Sequence, residues 1–228
     1  MTEHISEAVI RRLPGYYRHL RELEAQGIKQ VSSHELGERM HQTPSLIRQD
    51  INSFGGFGRQ GYGYDVSELK TCIGSILNLQ QPHRMIIIGA GSIGSAVAKY
   101  QSFIREGFQT LAMFDINPEK TGTLFDEIPI LSIDDLELFL QLHPVDIAVL
   151  ALPGSEAQMM LDRLIASGVQ AIWNFAPVDL VYDEQAISVV NVHLSDSLQV
   201  LSYKMAHRED AIPSSEDQAN NGKPENRK

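Results

Sequence analysis

Met85-Ile86-Ile87-Ile88 runs directly into Gly89-Ala90-Gly91-Ser92-Ile93-Gly94, a G-x-G-x-x-G motif. Four apolar residues before a glycine turn predict a short buried strand. The segment through Ala96, Val97 and Tyr100 predicts the helix that follows. Between a strand and a helix the three glycines have separate tasks. Gly89 makes the tight turn, Gly91 lets the backbone approach a pyrophosphate, and Gly94 lets helix and strand pack closely. Ala90, Ser92 and Ile93 complete the loop. Phosphates are expected at the helix N-terminus, where free N–H groups and the dipole favour anions. A second strand, Thr110 to Phe114, ends in Asp115, 21 residues after Gly94. A carboxylate at that distance accepts hydrogen bonds from an adenine ribose and disfavours a 2′-phosphate. NADH, with NAD+ as competing ligand, is therefore the expected cofactor; the alternatives are another nucleotide, such as coenzyme A, or none.

Outward from this motif the alternation continues. A strand around Ile128–Leu131 precedes a helix from Asp134 to Leu142. A strand over Asp146–Leu152 ends at Pro153-Gly154, before a helix through Met160, Leu161 and Leu164. Strands over Ala171–Phe175 and Ile187–Val192 follow. The pattern predicts an α/β fold, a Rossmann-type doubly wound parallel sheet. Ligands bind such sheets outside the carboxyl ends of the strands, which makes Pro153, Asn174 and Phe175 candidates for the nicotinamide end. Ser195–Ala206, with Leu198, Leu201 and Met205 at helical spacing, forms an apolar-striped helix with no evident place in the sheet.

Toward the N-terminus, Val9, Leu13, Tyr17, Leu20 and Leu23 predict a helix from about Ser6 to Gln26, kinked or restarted at Pro14-Gly15 and capped by Gly27. Ser32-Ser33-His34-Glu35 is a capping box, and Thr43-Pro44 is an N-cap followed by a first-turn proline. Two short helices on a tight turn predict a helix-turn-helix, the second helix burying Leu46, Ile47 and Ile51. Its outward face carries Ser45, Arg48, Gln49 and Asn52, side chains suited to guanine, phosphate and adenine in a major groove. A small helical domain with an ordinary polar face is the alternative. Residues 54–64 pack five glycines, four aromatics and one arginine into eleven positions. Such a run suits a β-hairpin, the wing of a winged helix, with Arg59 and Gln60 at its tip. Asp65 or Ser67 caps a further helix with Leu69, Ile73, Ile76 and Leu77 inward.

The 228 residues carry a formal net charge of −10, but unevenly. Nine Lys+Arg balance nine Asp+Glu up to Gln80, so the remainder holds the whole deficit. That asymmetry predicts two domains with different partners, joined near Gln80-Gln81-Pro82-His83. The acidity argues against non-specific DNA coating and leaves room for a few placed contacts. A single cysteine, Cys72, excludes a disulfide framework and suits a reducing cytoplasm. No apolar run reaches the ~20 residues of a membrane span. No histidines pair at i, i+4, so no metal site is expected. Too few residues follow the last strand for a substrate domain with a proton-transfer group, so no catalytic residues are assigned. A dinucleotide domain fused to a DNA-binding module is the design of a sensor.

Arg12-Leu-Pro-Gly-Tyr-Tyr-Arg18, Val31-Ser-Ser33, the FGGFG run, Gly61-Tyr-Gly-Tyr64, GAGSIG, Phe114-Asp-Ile-Asn-Pro118 and Asn174-Phe-Ala-Pro177 occur in this order. Together they resemble the Rex family of bacterial redox-sensing transcriptional repressors, from about Ile10 to Tyr203. The resemblance implies a winged-helix domain at residues 1–80 and an NADH-binding Rossmann domain at 83–194. It further implies a C-terminal helix at 195–207 exchanged within a homodimer; residues 208–228 read as a disordered tail. It implies operator binding when NADH is scarce and release when NADH closes the dimer. It also places Tyr100 near the nicotinamide and Arg18 among interdomain contacts. Three departures stand out: Gln49 and Gln60 where the family has basic residues, and His193 where it has an aspartate facing the equivalent of Arg18. These raise the alternative of a paralogue with nucleotide binding but altered DNA binding. A small NAD-dependent oxidoreductase is a further alternative, disfavoured by the missing substrate domain.

Overall fold

The computed structural model describes residues 5–59 and 63–207. The chain divides into two compact units. The first comprises the residues up to Pro82 with Ser102–Gly107, and the second His83–Gln101 with the residues from Phe108 onward.

The first unit opens with α1 (Glu7–Ile10) and α2 (Leu13–Ala25). The break falls at Arg11-Arg12, not at the expected Pro14-Gly15. Pro14 lies in the first turn of α2, where its missing N–H has no intrahelical partner to lose. Gly27, at φ +75°, ends α2 as expected, with the Ile28 N–H returning to the Leu23 carbonyl at 3.0 Å. After β1 (Gln30–Val31) comes α3 (Ser33–Met40), opened by a complete Ser32/Glu35 capping box. Next is α4 (Pro44–Asn52), whose Leu46 N–H donates to Thr43 Oγ1 at 3.2 Å. Then follow β2 (Gly58–Arg59), β3 (Gly63–Asp65) and α5 (Val66–Ile76), the last capped by Asp65. The strands form an antiparallel sheet in the order β1-β3-β2, pairing Val31 and Gly58 with Tyr64 on opposite sides. A helix-turn-helix followed by such a hairpin is a winged helix. Leu13, Leu20, Leu36, Ile47, Ile51 and Ile73 fill the core, each contributing about 1.5–3 kcal/mol by burial. Leu46 is only half-buried, against expectation. Ile47 and Ile51, one turn apart, occupy the inner stripe and leave Leu46 at its flank.

From His83 the chain runs β4 (His83–Ile88), α6 (Ser92–Ala98), α7 (Gln101–Arg105), β5 (Phe108–Asp115), β6 (Leu124–Phe125) and β7 (Ile128–Ser132). A 3₁₀ turn (Ile133–Asp135) leads into α8 (Leu136–Leu142). Then come β8 (Ile147–Leu150), α9 (Gly154–Ala166), β9 (Ala171–Asn174), β10 (Ser188–Asn191) and α10 (Leu194–Ala206). Most of α7 belongs with the first unit, where Arg21 Nη1 donates to Glu106 at 3.0 Å. The sheet order is β10-β9-β8-β4-β5-β7-β6, parallel throughout except the edge strand β6, antiparallel to β7. Strand order reverses between β4 and β8, the switch point where doubly wound sheets bind ligands. One sheet face buries Ile86, Ile88, Phe114 and Leu150 beneath Leu161 and Leu164 of α9. On the other face Ile87 lies under Gly94 of α6. None of the thirteen residues of α10 is buried.

Candidate functional site

The glycine loop between β4 and α6 takes its shape from two contacts that no side chain permits. Gly89 has φ +100°, and a Cβ there would lie 2.3 Å from the Ala151 carbonyl oxygen. A Cβ on Gly94 would lie 1.9 Å from the Gly89 carbonyl oxygen. Around Gly91 the space is open, and a Cβ there would meet nothing within 4 Å. Strand end and helix start are thus locked together while the middle glycine faces free space.

That space continues into a cleft of about 510 Å³ at the carboxyl ends of β4, β5 and β8. Gly89, Gly91, Asp115 and Pro153 line it, together with Ile116 and Lys120. Asp115 is anchored rather than free. Its Oδ2 accepts the Ala90 N–H at 2.9 Å and its Oδ1 accepts the Asn117 N–H at 2.8 Å. Lys120 Nζ donates to the Ala90 carbonyl at 3.0 Å and to Asp115 Oδ2 at 3.4 Å. Burial pushes the Asp115 carboxyl up, but the Asn117 and Ala90 amides and the Lys120 ammonium outweigh it and hold it below its usual value. The loop therefore rests on a carboxylate that stays ionised.

In the first unit Ser45, Arg48, Gln49 and Asn52 all lie exposed on one face of α4, and Arg48 Nη1 donates to Ser33 Oγ at 3.1 Å. Beneath that face Asp50 is 1% exposed. Arg12 forks onto it, Nε to Oδ2 and Nη2 to Oδ1, both at 2.7 Å. The Tyr16 hydroxyl donates to Oδ2 at 2.9 Å. Burial, then the bond to Asp50, pushes the Tyr16 phenol far up, so it remains a donor. Arg59 lies in β2, paired with Gly63; Gln60 lies outside the described residues.

Residues 80–178 match the family model described as a CoA binding domain, and residues 4–52 that of a putative DNA-binding protein N-terminus. The chain is 47% identical to the redox-sensing transcriptional repressor Rex of Thermoanaerobacter sp. (strain X514). The likeness spans 205 residues, 90% of this chain and 91% of the relative. The chain belongs to the Rex family. Solved structures agree. RSP in complex with β-NAD+ and operator DNA superposes with a TM-score of 0.84 at 43% identity, covering 96% of this chain and 99% of that one. RSP in complex with β-NADH gives 0.82 at 43% identity, covering 90% and 96%. Rex relatives are named repressors, not enzymes. Among the described residues no helix is long and apolar enough to cross a membrane, and no His/Cys/Asp/Glu group is arranged to hold a metal ion.

The cleft of this Rex chain gathers some of the residues singled out from the sequence and leaves others aside. Ser92 and Ile93 are exposed in the first turn of α6, and Ala90 is buried with its backbone clamped by Asp115 and Lys120. Tyr100 lies past the end of α6, which stops at Ala98, and is exposed between α6 and α7. The expected helix through Tyr100 is thus shorter. Asn174 is fully buried. Its amide donates to the Val178 carbonyl and to Asn191 Oδ1, and its Oδ1 accepts the Ala176 N–H. It braces the loop after β9, on which Phe175 sits half-buried. Arg18 is exposed on α2. His193 precedes the first residue of α10 without a side-chain capping bond, its Nε2 3.1 Å from Asp179 Oδ1. Sequence reasoning does not single out Lys120 or Asp50. Lys120 follows Asp115 by five residues, a turn-spaced signal; Asp50 looks like any polar helix residue until Arg12 is placed beside it.

Proposed function

We propose that this chain is a redox-sensing transcriptional repressor that holds operator DNA as a homodimer when NADH is scarce and releases it when NADH fills the cleft. The observation that carries the reading is the presence on one chain of a glycine-loop cleft beside an ionised Asp115 and a winged helix with an exposed polar recognition face. RSP, 43% identical, has been solved with β-NAD+ and operator DNA and with β-NADH. If the two ligands favour different states of the dimer, each weakens the other by the same free energy.

On this reading the winged helix at residues 1–80 contacts DNA through Ser45, Arg48, Gln49, Asn52, Arg59 and Gln60. The Rossmann domain at 83–194 takes the dinucleotide. Gly89 to Gly94 face the pyrophosphate, Asp115 the adenine ribose, and Pro153 with Phe175 and Tyr100 the nicotinamide end. Asn174 acts there by bracing the loop rather than by contact. The helix at 195–207 exposes Leu198, Leu201 and Met205, an apolar stripe that a second copy covers by exchange. Arg18 and His193 belong to the switch, where His193 replaces the family's carboxylate. The protein acts in the cytoplasm, where the NADH pool and the DNA are.

The test is titration of a labelled AT-rich palindromic duplex at moderate salt, with the protein alone, with NADH and with NAD+. Binding lost selectively with NADH is expected. Absence of sequence-specific binding overturns the reading.

A further inference from the structure

The chain passes between the two units at three places, Pro82–His83, Gln101–Ser102 and Gly107–Phe108. The last two bracket Ser102–Gly107, a segment that leaves the second unit after α6, joins the first, and returns to enter β5. Its return end is fixed. Phe108 pairs with His83 at the start of the β4–β5 ladder, and their rings stack with centroids 5.1 Å apart. Its leading end follows Lys99-Tyr100, directly beyond α6, and α6 begins at the glycine loop. No residue of α7 is buried, so little apolar packing holds the segment in place. Arg21 Nη1 of α2 and Glu106 Oε1, directly after α7, lie 3.0 Å apart. Among the described residues this is the one ion pair that joins the segment to the rest of the first unit. At the other end of α2, Arg12 forks onto Asp50 of the recognition helix α4. A continuous run of chain and polar contacts thus leads from the glycine loop through α6, α7 and α2 to α4.

We propose that Arg21 and Glu106 are positioning residues of the switch, the pair through which the Ser102–Gly107 segment carries a displacement of α6 to α2 within one chain. The proposal rests on the reading that NADH releases operator DNA, and it names side chains that link the two ligands. The segment suits that task because its far end is held in the sheet while its near end follows α6. A shift at the end of α6 is then taken up by a helix without buried anchors, and the ion pair decides whether α2 follows. The side chains of Arg21 and Glu106 are 40% and 37% exposed, so the pair adds little to the stability of the fold. Its effect falls on the coupling between the sites.

The test is a double-mutant cycle on the full-length protein: Arg21→Gln, Glu106→Gln, both together, and the charge exchange Arg21→Glu with Glu106→Arg. Operator affinity is measured by anisotropy with and without saturating NADH, and NADH affinity by fluorescence without DNA. The ratio of the two operator affinities is the coupling. Each single variant is expected to lower that ratio about threefold. Operator affinity without NADH and NADH affinity without DNA are expected to stay within about twofold of wild type, as for a surface change. The double variant is expected to lose no more than either single one, and the charge exchange to restore the ratio. A ratio unchanged in both single variants overturns the proposal. So do losses that add in the double variant and are not restored by the exchange, since they mark two independent surface effects. A wild type whose operator binding ignores NADH overturns the redox-sensing reading, and the proposal with it.

Discussion

Arg12, at the start of α2, and Asp50, on the recognition helix α4, form a two-pronged ion pair with both bonds at 2.7 Å, although 38 residues separate them. Asp50 is 1% exposed, so the pair lies at the junction of the two helices and Tyr16 adds a third bond. Removing the carboxylate leaves the Arg12 charge and the Tyr16 hydroxyl without their partner, whereas removing the hydroxyl leaves the fork intact. Asp50→Ala is expected to destabilise the first unit by about 3 kcal/mol. Tyr16→Phe is expected to cost about 1.5 kcal/mol, one neutral donor to a charged acceptor. Urea unfolding of the two variants measures the difference; equal effects would mean the fork contributes no more than the hydroxyl.

Arg48→Ala is expected to weaken operator binding by about 1–3 kcal/mol and, if the guanidinium neutralises a phosphate, to lower the salt slope by about one. NADH affinity is expected to stay unchanged, because Arg48 bonds Ser33 of its own unit. Anisotropy titrations over a salt series, with parallel NADH titrations, read both.

Two glycines of the loop are expected to respond differently to the same methyl group. Gly94→Ala meets the Gly89 carbonyl at 1.9 Å and is expected to cost about 3 kcal/mol of stability. Gly91→Ala meets nothing within 4 Å and is expected to fold within ~0.5 kcal/mol of wild type. It is nonetheless expected to lose NADH affinity, because the new methyl occupies the space in which a pyrophosphate approaches. Thermal melts and NADH fluorescence separate the two losses.

Asp115 is held ionised below its usual range, so it stabilises the fold above the unfolded pKa of ~3.9 and stops doing so as pH falls through its lower folded value. The stability gap between wild type and Asp115→Asn is expected to be constant above about pH 5 and to shrink below about pH 4. Melting curves across that acid limb check it. A gap that widens toward acid pH would contradict the assigned partners.

Leu198→Glu together with Leu201→Glu places charge on an α10 stripe that is more than half exposed in the single chain. Sedimentation is expected to shift from dimer to monomer and operator affinity to fall. An unchanged dimer would exclude α10 as its seal.

The features legible in the sequence are those set within a few residues. The Ser32/Glu35 box, the Thr43-Pro44 start and the Gly27 stop are all realised, because a cap is decided by one side chain and the next turn. The run from Met85 to Gly94 predicts strand, turn and helix because burial and φ > 0 are requirements of single positions. The break in the first helix is not legible in this way. Pro14 is costly only beyond the first turn, and the sequence does not say which turn is first.

What only the tertiary structure decided are the pairings between distant residues. Asp50 becomes a buried carboxylate because Arg12 arrives beside it, Asn174 a loop brace because Asn191 meets its amide, and Lys120 a partner of Ala90 in the cleft wall. The sequence by itself determined a winged helix joined to a dinucleotide-type sheet, because periodicity, caps and glycine positions act over one or two turns. Hydrogen-bond partners 17 to 38 residues apart depend on how helices and strands are packed, and no local spacing encodes that.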